Sequence, residues 1–558
     1  MAPMIGPRFF WSCFLALLGV YGIGLFATLM ENDSAQFAVM AMRMYQEHDW
    51  LSLWKGSEEY LDKPHLHYWL AALSYTLFGL HDWAYRLPAL LVTLLGAYSC
   101  YGLGRLLYNE NSGRMGALIF LSAQTIVLSA IDVRTDAVLT GFTAFALWQL
   151  ARYLTDGSLW GLLLGALGAG LAFSTKGQIA LLVIGLPLLC QLLARGGWKR
   201  LADPRLVLGL AVFALAIAPM LYAYYQQFDL HPEKLIRGRD HRSGILFIFW
   251  EQSFERLSGE GVGKNSSDYF FFFHTFLWVF LPWTLVGLAA YGMRLREGWR
   301  AFRARSPLPG EWLTAGGITL IFAIISFAQF KLPHYLNILI PLFAVLSAGF
   351  LDARHREGRL KWLRRVARLQ AGILAMVLLA LALIFFWVFP LPAGAALSGV
   401  LAMAASAVLL WTRLKDPLQR LVAVSVLACV LLNTGLNGYF YPRLLEYQAG
   451  SQLARQIGQE GLAADKICKL DAEHTWALDF YSGQPVVRVA AGELEARAPV
   501  WLYVSEEQRE QLGQKGIRWD RELAADQFRI SRLQARFLNP DTRQQVVRKR
   551  YLLHLMPP

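Results

Sequence analysis

Two acids, Glu31 and Asp33, stand in "ENDSAQFA" just where a long apolar run ends. One polar residue would be enough to end a helix there, so the pair raises the question of what each acid faces. "IDVRTDAV" repeats the theme with Asp132, Arg134 and Asp136 beside another apolar run. Cations and histidines recur at similar boundaries: Asp62, Lys63, His65 and His67 in "YLDKPHLHYW", Lys176 in "STKGQ", and Lys331, His334 and Tyr335 in "AQFKLPHY". "FWEQSFERL" adds Glu251, Glu255 and Arg256. Charge at a lipid boundary is costly and marks function by default. A carboxylate can take the proton from an incoming hydroxyl, and cations can hold an anionic headgroup and offset charge on a leaving phosphate. Taken singly, each cluster has a plainer reading. Asp33 and Ser34 suit an N-cap, Lys63 before Pro64 suits a turn with a snorkelling cation, and Lys176 and Lys331 suit interfacial anchors. Asp132, Arg134 and Asp136 could simply close a tight loop. No two histidines stand at a metal-ligand spacing. What favours chemistry is that all the clusters fall on one side of a membrane.

The elements that must gather these residues are membrane helices. Of 558 residues, 56% are hydrophobic and only 17% are charged. Apolar blocks near 9–29, 87–108, 115–131, 137–154, 159–173, 179–194, 206–225, 270–293, 311–328, 334–350, 369–389, 393–412 and 419–438 predict an all-α polytopic membrane protein of about 13 transmembrane helices. The first block lacks a small-residue cleavage site, which predicts a retained helix. The net charge of +13 is gathered in three short loops, Arg195 to Arg205, Arg294 to Arg305 and Arg354 to Arg368. That is the positive-inside pattern, and it argues against nucleic acid as a partner. Threading from a cytoplasmic N-terminus leaves all three loops inside. It puts residues 30–86, 132–136, 174–178, 226–269, 329–333 and everything after about 440 outside.

The expected domains are residues 1–440, a transmembrane domain with outer loops 30–86 and 226–269, and residues 441–558, a small extracytoplasmic α/β domain. Within the first loop, Ala35 to Gln46 and His65 to Leu80 read as helices lying in the membrane interface. Within the tail, "QPVVRVA", "PVWLYVS", "FRISRL" and "VVRKRYLLHL" read as strands, and Ser505 with Gln508 reads as a capping-box helix start. The five cysteines form no disulfide or zinc pattern.

The ordered set "ENDSAQFA", "YLDKPHLHYW", "RLPALL", "VRTDAVL", "STKG", "FWEQSFERL" and "FLPW" resembles the GT-C polyprenyl-phosphate-dependent glycosyltransferases. These include protein O-mannosyltransferases and aminoarabinose transferases, and the motifs cover roughly residues 1–350. The resemblance implies that Asp33 activates the acceptor and that Asp136 is the second essential carboxylate. It also implies that Lys63 and Arg256 contact the lipid phosphate, with Lys176 and Lys331 as further cations. Asp62, His65, Glu31 and Arg134 are candidate contacts to substrate or metal. Three positions depart from the family pattern. Gln36 stands where arginine is frequent, Asp62 stands where glutamate is frequent, and Lys264 is nearest to where a large-loop histidine is expected.

The resemblance implies transfer of a sugar such as 4-amino-4-deoxy-L-arabinose from undecaprenyl phosphate to lipid A at the periplasmic face of a bacterial inner membrane. Protein or another envelope glycan is the alternative acceptor, and a secondary transporter or lipid flippase is the alternative class. Because the donor carries one phosphate, protein cations can serve in place of a metal. A required divalent ion is the alternative.

Overall fold

The computed structural model describes residues 4–238, 240–252, 255, 268–461, 467–471 and 473–556. Every apolar block of the sequence is helical, and the chain is a multi-pass membrane protein. Eight helices among the described residues are long and apolar enough to cross a membrane: Pro7–Leu25, Asp82–Leu107, Leu159–Lys176, Leu206–Asp229, Pro333–Arg356, Leu360–Val388, Ala393–Arg413 and Pro417–Tyr447. Ile179–Arg195 and Leu313–Phe327 are apolar but shorter. Thr135–Asp156 is long but more polar. The other two blocks are interrupted. Block 115–131 divides into Glu110–Leu121 and Gln124–Ser129, and block 270–293 into Phe271–Val279 and Thr284–Arg303. Pro282, in the second break, has no amide hydrogen to continue a helix.

Thr135–Asp156 is the central helix, packed between Asp82–Leu107 and Leu159–Lys176. Small residues let these backbones close. A Cβ on Gly141 would lie 2.2 Å from the Val92 carbonyl oxygen, and one on Gly96 would lie 3.2 Å from the Gly141 Cα. Close approach of this kind is how membrane helices gain contact without a hydrophobic driving force. The central helix starts with Asp136 in its first turn. Pro333–Arg356 likewise carries His334 in its first turn and ends in Arg354, His355 and Arg356. Arg195, Arg303 and Arg413 also close their helices. The acids and the basic loops therefore occupy opposite ends of the bundle.

The outer loop 30–86 departs from expectation. Asp33–Glu47 does not lie on a membrane surface, because every residue from Ser34 to Met42 is buried. Phe37 packs edge-on against His67 and Tyr68, and the helix also packs on Trp476–Ser482 from the tail. Leu66–Phe78 does leave Leu73, Leu77 and Phe78 exposed. Between the two helices runs a short hairpin of β1 (Trp54–Lys55) and β2 (Glu58–Glu59).

The tail forms a five-stranded sheet. Its strands are β3 (Ile467–Lys469), β4 (Val487–Arg488), β5 (Val500–Ser505), β6 (Trp519–Gln527) and β7 (Arg548–Leu555), in the order β4-β3-β5-β7-β6. β3 is parallel to both β4 and β5, and β7 is antiparallel to β5 and β6. The capping box at Ser505 and Gln508 is formed. "FRISRL" is not a strand. The strand is the preceding segment, Trp519–Gln527, whose polar residues suit a sheet edge. The helical run from Pro417 continues to Tyr447, so the expected boundary at 440 falls inside it.

Candidate active site

One buried arginine fixes the loops that carry the acids. Arg86, fully buried near the start of Asp82–Leu107, donates from Nε to the Ile131 carbonyl at 2.8 Å. Its Nη1 donates to the Leu25 and Ala27 carbonyls at 3.0 and 2.5 Å, and its Nη2 to that of Thr28 at 3.2 Å. Those carbonyls belong to the last residue of the first helix, to the two residues Ala27 and Thr28 beyond it, and to the residue before Asp132. A single guanidinium thus ties the chain leading to Asp33 to the chain leading to Arg134. Tyr481 from the tail adds to the clamp, accepting from the Leu29 amide at 2.8 Å and donating to Asp82 Oδ1 at 2.6 Å.

On this support the charged side chains alternate in sign. Asp33 Oδ2 accepts from Arg134 Nη1 at 2.8 Å, and Asp132 Oδ2 accepts from Arg134 Nη2 at 2.8 Å. Asp33 opens its helix without acting as an N-cap, since Asn32 holds that place and makes no side-chain cap. Arg134 Nη1 lies 3.5 Å from His334 Nδ1, and His334 Nε2 lies 3.6 Å from Asp136 Oδ2. Asp136 Oδ1 accepts from Lys176 Nζ at 2.5 Å, with both side chains buried. Burial opposes charge on Arg134, but Asp132 and Asp33 outweigh it and raise its proton affinity further. Lys63 adds its positive field at Asp136 and His334.

Asp136 and Lys176 line one end of a cavity, with Gln252 and Tyr335. Leu139, Ile179, Leu182, Ile324, Ile325 and Ile338 make its apolar walls. Lys176 Nζ also lies 4.6 Å from the Tyr335 ring centroid. A polar, cationic end on an apolar groove suits a lipid phosphate: the chain is buried among aliphatic groups and the phosphate meets the ammonium. Lys176 ends its helix, and Gly177 follows at φ +73°, which frees the turn.

Other residues expected at the site lie elsewhere. Glu31 faces the tail, its Oε1 accepting from the Ala477 amide at 2.9 Å. Asp62 pairs with Arg237, and its carbonyl accepts from Gln252 Nε2 at 2.6 Å. His65 is fully buried between Trp69 and Tyr224, with Nε2 2.9 Å from the Leu51 carbonyl oxygen. Burial pushes its imidazole down to about 4, so it stays neutral. Lys331 is buried with Nζ 5.4 Å from the Tyr269 ring centroid. Arg256 and Lys264 lie outside the described residues. Among the described residues, no group of three or more His, Cys, Asp or Glu side chains gathers as metal ligands. Asp33 and Asp136 are paired with Arg134 and Lys176.

Sequence reasoning did not assign a role to Arg86, although "RLPALL" contains it. Its only signal is an arginine immediately before an apolar block. Gln252 was missed too, and its signal is weaker still.

An apolar helical bundle with a charged pocket at one end and a small outer sheet is the GT-C fold, and the chain has it. The crystal structure of ArnT from Cupriavidus metallidurans bound to undecaprenyl phosphate superposes with a TM-score of 0.72 at 20% identity, over 98% of this chain and 99% of that one. Residues 62–223 match the family described as dolichyl-phosphate-mannose-protein mannosyltransferase. The undecaprenyl phosphate-alpha-4-amino-4-deoxy-L-arabinose arabinosyl transferase of Edwardsiella ictaluri is 27% identical over 374 residues, 63% of this chain and 62% of its own length. The protein of the same description from Pseudomonas aeruginosa is 27% identical over 380 residues, 67% of this chain and 65% of its own length. The alignments thus span less than two thirds of these relatives' lengths.

Proposed function

We propose that the chain transfers 4-amino-4-deoxy-L-arabinose from undecaprenyl phosphate to lipid A at the periplasmic face of a bacterial inner membrane. The observation that carries this reading is the buried Asp136–Lys176 pair at the polar end of an apolar cavity, in a fold shared with a lipid-phosphate binder. The polyprenyl chain lies along the aliphatic walls, and its phosphate meets Lys176 and Lys63. An acceptor oxygen attacks the anomeric carbon, and the bond from that carbon to the phosphate oxygen breaks. Undecaprenyl phosphate leaves with the bonding electrons, and the cations stabilise the charge that it gains. Asp33 takes the acceptor's proton, held in place by Arg134. Asp136 positions Lys176 and His334. No step passes through a metal, so transfer persists in a chelator. Complete loss in EDTA with recovery on adding a divalent ion would reject that part.

The decisive experiment compares lipid A from cells carrying the wild-type chain and the Asp33→Asn variant by mass spectrometry. The wild type adds the mass of one aminoarabinose residue, and the variant lowers that species at least a hundredfold, the scale of a lost general base. An increment found on protein or another glycan, with lipid A unchanged, would move the acceptor assignment.

A further inference from the structure

The loop after the first helix carries two acids with different partners. Asp33 turns to Arg134. Glu31 turns to the tail, with its carboxylate on the Ala477 amide and its own amide donating to Gln448 Oε1 at 3.0 Å. Beside Glu31 and Asn32 lies a second cavity of about 350 Å³, lined also by tail residues including Glu473, His474, Phe528 and Arg529. It shares no lining residue with the cavity of Asp136 and Lys176.

Its polar groups divide into two sets. Gln448 and Glu473 are committed to the frame: Gln448 Nε2 donates to the Leu29 carbonyl at 2.9 Å, and Glu473 pairs with Arg550 at 2.5 Å. The side chains of Asn32, His474 and Arg529 make no hydrogen bond or ion pair with any described residue. The His474 ring is stacked on Trp476, with centroids 5.0 Å apart, and Phe528 is buried in the wall. An uncommitted guanidinium, an imidazole and an amide beside carboxylates and flat ring faces form a set that recognises an anionic sugar. Arginine takes phosphate, the amide takes a hydroxyl, and rings cover apolar sugar faces. Asn32 immediately precedes Asp33 in the chain, so a ligand held here lies next to the acceptor-activating loop.

We infer that this interdomain cavity holds the phosphorylated, hydroxyl-rich sugar headgroup of the acceptor, with Arg529 and His474 on phosphate and Asn32 on a hydroxyl. The assignment rests on the transferase reading above, and it gives the outer domain the task of choosing the acceptor.

The test uses the full-length chain in nanodiscs, with the Arg529→Ala and His474→Ala variants, both on exposed side chains. Acceptor is titrated at saturating donor. Each variant raises the acceptor KM about tenfold, the scale of one lost charged hydrogen bond. The kcat at saturating acceptor and the donor KM stay within about twofold on the same argument. An acceptor KM unmoved in both variants overturns the inference while leaving the transferase reading intact. Calorimetry with a water-soluble phosphorylated hexosamine disaccharide provides a second, independent arm. Wild type binds it and Arg529→Ala binds it about tenfold more weakly. If that holds while no acceptor is ever glycosylated, the transferase reading fails, the word acceptor falls with it, and the cavity keeps only its affinity for a phosphorylated sugar. Equal binding of inorganic phosphate alone would reduce the cavity to an anion site and overturn the sugar assignment.

Discussion

Arg86 and the Asp136–Lys176 pair make opposite demands on mutation. Arg86 satisfies four backbone carbonyls from inside the protein. Arg86→Met strands those acceptors without water and destabilises the chain by roughly 3 kcal/mol or more. Thermal unfolding in detergent would register this as a lower Tm, and an unchanged Tm would remove Arg86 from the clamp. Lys176→Met leaves Asp136 charged and buried, at a cost of roughly 3–5 kcal/mol. Adding Asp136→Leu removes the orphaned charge and recovers most of that stability, yet transfer stays absent. A double variant that regained activity would show that the pair serves packing alone. That Asp33, Asp136 and Lys176 stand at the edges of apolar blocks was legible in the sequence, because charge is rare there, whereas Glu31, Asp62 and Lys331 carry the same signal and lie elsewhere. The role of Arg86 was not legible, since a lone arginine just before a span reads equally well as an anchor. Its meaning lies in carbonyls contributed from about 45 and 60 positions away, and no spacing rule reports those.

Short connecting elements set the position of the site. Gly177 holds φ +73°, and a Cβ there would come 2.7 Å from Gln252 Oε1. Gly177→Ala strains the turn by about 1–3 kcal/mol and shifts Lys176, so kcat falls while the bundle still folds. Wild-type kcat in that variant would mean that the turn is not coupled to the lysine. The loop at Glu31 responds to pH instead. Burial pushes its carboxyl up to about 7, and the nearby Asp479 and Glu473 charges add to the rise, against the Ala477 amide and Lys469. Burial likewise pushes Asp479 up to about 7. Between the ordinary 4.5 of glutamate and about 7, the folded chain holds a proton that the unfolded chain has released. Stability therefore falls as pH rises through that window. Glu31→Gln removes this residue's share, so its Tm declines less from pH 5 to pH 8 than that of wild type. Parallel declines would show that Glu31 titrates alike in both states. The enclosure of Asp33–Glu47 was hidden in the sequence for a related reason. Its apolar stripe fits a membrane surface as well as a protein interior, and the covering helix Trp476–Ser482 comes from more than four hundred residues downstream.

At the scale of the whole molecule, the apolar blocks carried most of the fold. A bilayer forces backbone groups to bond within each segment, so apolar length alone predicts helices. Which blocks break is set by local residues such as Pro282, and the sheet edge at Trp519–Gln527 by tertiary pairing that its polar composition conceals. The separation of charge along the bundle makes one further commitment, on orientation. Arg303 sits at the basic end, where positive-inside retention places the cytoplasm, and Ser531 lines the interdomain cavity at the other end. In a background with the five native cysteines replaced, Ser531→Cys reacts with a membrane-impermeant maleimide in intact spheroplasts. Arg303→Cys reacts only after the membrane is permeabilised. The reverse pattern would turn the charged pocket toward the cytosol, and the transfer proposed at the periplasmic face could not occur.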